Sequence, residues 1–193
     1  MNINIYKAED FKTTQWSGGS STELFIHPPT ANYTTGDFNF RISSATVEVE
    51  ESNFTMLLEV SRQLMVLSGS ITVSHKDHHQ VQLNKNDVDS FDGNWETSAI
   101  GICVDFNLML KGNTKGKISS VTKSANESVN FQLDSNCEFI IFYAYEGKLQ
   151  LNFNSEKRSL NRGELLVIRH PINKSINLQS LENCALAVVH IYK

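Results

Sequence analysis

Residues 64–91, LMVLSGSITVSHKDHHQVQLNKNDVDSF, and residues 142–168, FYAYEGKLQLNFNSEKRSLNRGELLVI, follow one plan. Each runs as an apolar strand, a glycine, a second strand of alternating apolar residues, a polar turn and a short third strand. Each then reaches Leu-Asn-(Lys/Arg)-(Asn/Gly)-(Asp/Glu) and a closing apolar strand. Alternation at every second residue is what a strand with one buried face requires, and glycine between two such runs predicts a hairpin across Gly69. Gly69 and Gly147 stand 78 residues apart. A repeat of that length predicts two similar β modules packed as one unit.

The same grammar extends in both directions. Short β-branched or aromatic runs are predicted as strands over 24–27, 38–47, 63–67, 70–75, 79–83, 87–90 and 97–104, and again over 139–145, 148–153, 158–160, 164–168, 175–178 and 184–192. Gly, Asn, Asp and Ser separate them at the spacing of a sandwich or barrel. No segment shows helical periodicity for more than two or three turns, so the fold class is all-β. Residues 111–123, with Gly112, Asn113, Gly116 and little to bury, read as the linker between a module over 1–111 and a module over 112–193.

With 193 residues and 40% hydrophobic content, the chain is long enough for a sizeable core. No apolar run reaches the length of a membrane helix, and the first residues lack the basic and apolar regions of a secretory signal, so a cytoplasmic protein is expected. Cys103, Cys137 and Cys184 are odd in number and set among apolar neighbours, which predicts buried thiols. A net charge of −4, without blocks of either sign, argues against nucleic-acid or membrane partners.

Several polar residues fall where chemistry could occur. On 38–47, alternation sends Arg41, Ser43 and Ala45 to one face and Phe40, Ile42 and Ser44 to the other. A mid-strand arginine is costly to bury alone, so Arg41 must meet a protein carboxylate or a ligand. On 102–108 the same rule groups Cys103, Asp105 and Asn107. Asp105 is then a natural mate for an arginine, and Asn107 offers both a donor and an acceptor. The stretch 16–23, Trp-Ser-Gly-Gly-Ser-Ser-Thr-Glu, reads as a loop folded over a pocket with Trp16 as its lid or wall. It lacks the spacing of a phosphate loop. Glu23 and Asp105 are the two carboxylates that would do acid–base work if the protein were an enzyme. His75, His78 and His79 lie between two strands and read as an exposed, solvated turn, with adventitious metal binding as the alternative. No nucleophile elbow is present, and no cysteine has a catalytic neighbour.

The repeated strand, glycine and strand ending near Leu-x-x-Gly-Asp resembles the hairpin of the cupin superfamily of small, RmlC-like β-barrels. That resemblance implies a bicupin, two cupin-like β-barrel modules in one chain. Residues 1–111 are more closely similar to the HutD/Ves family, through Trp16-Ser17-Gly18-Gly19-Ser20-Ser21-Thr22-Glu23, Phe38-Asn39-Phe40-Arg41-Ile42-Ser43-Ser44-Ala45, Ser61-Arg62, Phe91-Asp92-Gly93 and Asp105-Phe106-Asn107-Leu108-Met109. Two departures are plain. Ser20, Ser21 and Thr22 stand where the family carries a further glycine and a basic residue, and Leu57-Leu58-Glu59 replaces the usual Phe-Pro-Gly.

Metal-using cupins carry a glutamate seven residues before the hairpin glycine, and here that count reaches Arg62, with Thr55 to Leu58 at the upstream histidine positions. Neither module keeps the ligand set, so no metal and no cofactor is expected. Arg62 would instead hold an anion, or pair internally with Glu59 or Glu23. The resemblance implies a small-molecule carboxylate ligand such as formylglutamate or urocanate, gripped by Arg62 and Arg41 in a pocket shaped by Trp16, Glu23, Ser43, Asp105 and Asn107. It also implies an accessory or regulatory role in histidine utilisation, with the second module serving for packing or as a homodimer surface. A metal-independent isomerase or epimerase and a protein-interaction scaffold are the rival readings.

Overall fold

The computed structural model describes residues 1–153, 156–172 and 174–192. It is built almost wholly of strands: β1 (Asn2–Tyr6), β2 (Lys12–Trp16), β3 (Gly19–His27), β4 (Phe40–Val47), β5 (Glu51–Asn53), β6 (Val60–His75), β7 (His79–Asn84), β8 (Val88–Asp92), β9 (Thr97–Ile100) and β10 (Cys103–Lys111) come first. They are followed by β11 (Lys115–Lys123), β12 (Ser128–Leu133), β13 (Cys137–Glu146), β14 (Lys148–Phe153), β15 (Glu156–Asn161), β16 (Leu165–Arg169), β17 (Lys174–Ser180) and β18 (Cys184–Tyr192). One 3₁₀ turn, Ala8–Asp10, precedes β2.

The chain forms two compact units, Phe11–Thr114 and Met1–Asp10 with Lys115–Lys193. This differs from the expected division at 111/112 in one substantial way. Strand β1 pairs antiparallel with β16, Ile3 opposite Ile168 and Ile5 opposite Leu166, so the first ten residues belong with the C-terminal half. The expected linker over 111–123 is also corrected. Residues 115–123 are β11, paired along their length with β18, and only 112–114 join the two strands.

In the unit of residues 11–114, the sheet order is β2-β3-β4-β10-β6-β9-β5, with β7 and β8 also on β6. The other unit has a five-stranded sheet, β1-β16-β13-β18-β11, and a four-stranded one, β12-β17-β14-β15. Ile140, Phe142, Leu149, Leu151, Leu160, Leu166 and Leu186 meet in its core. In the first unit Leu64, Val66, Ile71, Val73, Phe91 and Cys103 do the same. Each is the inward half of an alternating strand, and burying each such side chain contributes roughly 1.5–3 kcal/mol. All three cysteines are buried thiols outside any disulfide. Among the described residues no helix is long and apolar enough to cross a membrane. The architecture is a bicupin.

The hairpin expected across Gly69 is not formed. Strand β6 continues through it for 16 residues, pairing with β10 and β8 before the glycine and with β7 and β9 after it. A shift of register at Val104/Asp105 accompanies the passage, the irregularity that bends a strand from one layer into another.

Candidate functional site

Strand β10 lies between β4 and β6, and its register decides what meets what. Met109 stands opposite Arg41 on β4 and Arg62 on β6, so two guanidiniums come from the strands on either side of β10 into one space. Asp105 and Asn107, at the alternate positions of β10, face the same way. The space is a cavity of about 620 Å³ within the 11–114 unit. Trp16, Glu23, Arg41, Ser43, Arg62, Asp105 and Asn107, the residues singled out in the sequence, all line it. Cys103 does not, and packs in the core instead.

Trp16 and Glu23 do not sit on a loop. They belong to a hairpin, β2 and β3, turned at Ser17 and Gly18. A Cβ on Gly18 would meet the Trp16 ring at 2.1 Å, so the glycine lets the indole lie down over the turn while remaining partly exposed beside the cavity. Between Glu23 and Phe25 the register with β4 shifts by one residue. Leu24 is the extra residue and turns into the core, with Glu23 left on the cavity side.

The two arginines are held differently. Arg41 donates from Nε to Glu23 Oε2 at 2.7 Å and from Nη1 to Ser43 Oγ at 3.0 Å, and its guanidinium lies 4.2 Å from the centre of the Tyr33 ring. The carboxylate that meets Arg41 is therefore Glu23, not Asp105. Arg62 is 5% exposed and, among the described residues, forms no ion pair. It donates to the Thr55 carbonyl at 3.3 Å, packs against the faces of Phe54 and Phe91 at 5.0 and 5.1 Å, and leaves Nε without a partner. Burial holds it below the usual guanidinium range, with Tyr33 and Asp105 pulling the other way.

Asp105 is buried beneath them. Desolvation pushes its carboxyl up to about 7, although Arg62 and hydrogen bonds from the Ala45 backbone and the Asn107 side chain favour the ionised form. The Asn107 amide donates to Asp105, and its own Oδ1 is buried without a partner. The cavity thus presents an unmatched cation, an unmatched acceptor and a carboxyl poised near neutrality.

The raised carboxyl of Asp105 makes the stability of the chain depend on pH. A carboxyl raised on folding contributes stability that is fully present below its ordinary value of 3.8 and is lost as pH rises through about 7. The ligand-free chain should become less stable between about pH 4 and pH 7 and level off above that. Asp105→Asn should remove most of that fall, measured as urea midpoints across the range.

Tyr33 and Phe54, which flank the arginines, were not read as site residues. They lie in the segments 28–39 and 54–59, outside any strand, where periodicity gives no face. The signal available was turn chemistry. The Asn32 backbone N–H donates to Asp37 at 2.7 Å and the Thr34 N–H to the Asn32 side chain at 2.9 Å, which folds that segment against the cavity.

The positions at which metal-using members of the fold carry ligands do not suit a divalent ion here. Arg62, Thr55, Met56, Leu57 and Leu58 offer neither imidazole nor carboxylate, and the guanidinium is itself a permanent cation. The histidine segment also departs from expectation. His78 and His79 are exposed, but His75 is 3% exposed, with Nδ1 2.8 Å from Thr97 Oγ1 and Nε2 2.7 Å from Asp89 Oδ2.

The chain is similar to known proteins in sequence pattern and in fold. The family model described as HutD matches residues 8–187. A conserved protein of unknown function from Pseudomonas aeruginosa superposes with a TM-score of 0.86 at 17% identity, each chain covering 100% of the other. HutD from Pseudomonas fluorescens gives 0.75 at 18%, again over 100% of both chains. A mutant of Bacillus subtilis oxalate decarboxylase gives 0.71 at 10%, over 100% of this chain and 77% of its own. No curated protein sequence matches.

Proposed function

Because the chain belongs to the HutD family, we propose that its N-terminal unit is a receptor for a small carboxylate metabolite that also carries an N–H group, bound without a metal in the cavity. The observation that carries this reading is Arg62. A buried guanidinium with no counter-ion costs the ligand-free protein several kcal/mol and is retained where an anion completes it. A carboxylate would take the free Nε and the fork of Arg62, with Arg41 and Ser43 alongside. Asn107 Oδ1, buried and unpartnered, calls for a donor on the same ligand. Formylglutamate, with an amide N–H, and urocanate, with an imidazole N–H, both meet that description. The role is accessory or regulatory in histidine utilisation, in the cytoplasm, where thiols such as Cys103, Cys137 and Cys184 persist.

The electrostatics set a pH dependence. Glu23 offsets Arg41, and Asp105 is largely neutral below pH 7, so the cavity keeps the buried charge of Arg62 for the ligand, with the exposed Lys12 also on its lining. Above pH 7 the Asp105 carboxylate competes with an incoming anion. Affinity should fall by up to about tenfold per pH unit there, with one proton taken up on binding, and Asp105→Asn should flatten the profile. Calorimetry in buffers of different ionisation heat reads both effects.

The functional reading is tested by a thermal-shift screen of formate, formylglutamate, urocanate and their uncharged amides or esters, because a ligand selective for the folded state raises Tm by mass action. Acids should shift Tm and neutral analogues should not. No shift with any acid would remove the proposal. A second reading is favoured by Asp105 alone. A carboxyl near pH 7 in a cavity is matched to proton transfer, as in a metal-independent isomerase or epimerase. It requires turnover of a bound acid, bell-shaped in pH and abolished by Asp105→Asn.

A further inference from the structure

We propose that His75, His79 and Asp89 form a binding site for a divalent transition-metal ion of the kind that favours imidazole, such as zinc, nickel or cobalt. The three residues come from the end of β6, the start of β7 and the middle of β8, and the β6–β7 register sets His75 opposite His79. Their imidazole rings lie 4.5 Å apart, centre to centre. Asp89 divides its carboxylate between them, Oδ2 2.7 Å from His75 Nε2 and Oδ1 3.2 Å from His79 Nε2. All three donor atoms fall within 4.8 Å of one another.

Two nitrogens and a carboxylate oxygen converging on one point are what such an ion takes, with bonds of about 2.0–2.2 Å and a position left for water. Donors bound at that length sit roughly 3–3.5 Å apart. The two nitrogen–oxygen contacts, at 2.7 and 3.2 Å, lie close to that spacing, and the partly exposed His79 ring has room to adjust towards the third donor.

The surroundings are those of a ligand held in place. His75 Nδ1 meets Thr97 Oγ1 at 2.8 Å, and that hydroxyl donates onward to the Trp95 carbonyl at 3.2 Å. With the hydroxyl proton directed at Trp95, Oγ1 can accept from Nδ1–H, and Nε2, which meets Asp89 in the ion-free protein, is the nitrogen that a metal would take by displacing the shared proton. The Phe91 ring, 4.5 Å from that of His75, and the Trp95 ring, 5.5 Å away, wall the inner side. His79 faces solvent and gives the ion a way in. Lys76, the nearest lysine in sequence, is tied to Glu96 at 2.7 Å. None of the three ligands coincides with Arg62 or with Thr55 to Leu58, so the site is separate from the anion cavity. Phe91 lies against both Arg62 and His75.

The test uses the full-length, untagged, chelator-treated protein titrated with Co(II) and Zn(II), followed by calorimetry and by the visible absorption of the cobalt form. One ion per chain should bind with a Kd of about 10 μM or tighter, with an absorption band of low-symmetry cobalt. His79→Ala, which removes an exposed ligand without opening the core, should weaken binding at least about 100-fold. His78→Ala, whose ring instead stacks on Trp95 at 3.7 Å, should leave it unchanged. A native Kd weaker than about 100 μM, or a loss under about tenfold in His79→Ala, overturns the proposal and leaves the triad as a hydrogen-bonded brace of the β6–β7 hairpin.

Discussion

Replacing Arg62 by methionine should stabilise the ligand-free protein and abolish carboxylate binding in the same step. The native guanidinium is 5% exposed, lacks an ion pair among the described residues and leaves Nε unsatisfied, so folding bears its desolvation with little return. Methionine keeps the volume and the contacts with Phe54 and Phe91, because a thioether packs well against aromatic rings. A gain of roughly 1–3 kcal/mol is expected, or about 3–10 °C in Tm for a chain of this size. Carboxylate affinity should drop about 100-fold or more, the usual consequence of truncating a buried charge that pairs with a bound anion. If the residue were only structural, the substitution would lower Tm and there would be no affinity to lose. Scanning calorimetry and a ligand titration of the same variant distinguish the two.

A large loss of stability should follow Gly69→Ala. Gly69 has a φ of 81°, and a Cβ there would lie 2.4 Å from the Ile102 carbonyl oxygen and 3.1 Å from Cys103 Cα. Both obstacles are backbone, Cys103 at the start of the β6–β10 ladder and Ile102 one residue before it, and neither can swing aside. Strain at positive φ and an enforced shift of two paired strands together should cost more than about 3 kcal/mol. Gly163→Ala offers the contrast. Its φ of 84° is equally unusual, yet a Cβ would meet nothing within 4 Å, so only the conformational strain remains, about 1 kcal/mol. Urea midpoints of the two variants should separate clearly, and equal losses would mean that the contact with Ile102 is not what selects glycine at position 69.

The repeat in the sequence turns out to encode a repeated set of hydrogen bonds. Asn86 N–H donates to the Val66 carbonyl at 2.8 Å, and Gly163 N–H to that of Ala144 at 2.7 Å. The Asn84 N–H is capped by Asp87 Oδ2 at 2.9 Å, and the Asn161 N–H by Glu164 Oε2 at 2.8 Å. Leu-Asn-x-(Asn/Gly)-acid is legible because its turn is closed within four residues, and Asn86 and Gly163 both take positive φ. What the same stretch conceals is the path of β6. A glycine between two apolar runs looks alike whether the chain reverses or passes on, and only the pairing with β10, more than thirty residues later, decides. Strand β1 is hidden for the same reason, since its partner β16 lies at the far end of the chain. The expected strands omit β12, although Val129, Phe131 and Leu133 alternate along it, and they omit the edge strand β11, whose residues are largely polar.

At the cavity, alternation alone places Arg41 with Ser43 and Asp105 with Asn107, because strand faces depend on nothing distant. Which carboxylate meets which arginine is not local. Glu23 reaches Arg41 by way of the bulge at Leu24, and Asp105 is left to be neutralised by burial, neither of which a single strand's pattern records. His75 is misread from the same cause. Its neighbours Lys76, Asp77 and His78 are a solvated turn, but His75 itself continues the inward series of Ile71 and Val73 on β6.

The most direct measurement is a calorimetric titration of the purified protein at pH 6 with formylglutamate and, separately, with its uncharged diamide, repeated on Arg62→Met. Saturable binding of the acid at one site per chain, at least about tenfold weaker for the diamide and lost in the variant, is the predicted result. Equal binding of acid and diamide, or acid binding that survives Arg62→Met, would contradict the assignment of this cavity as a carboxylate receptor.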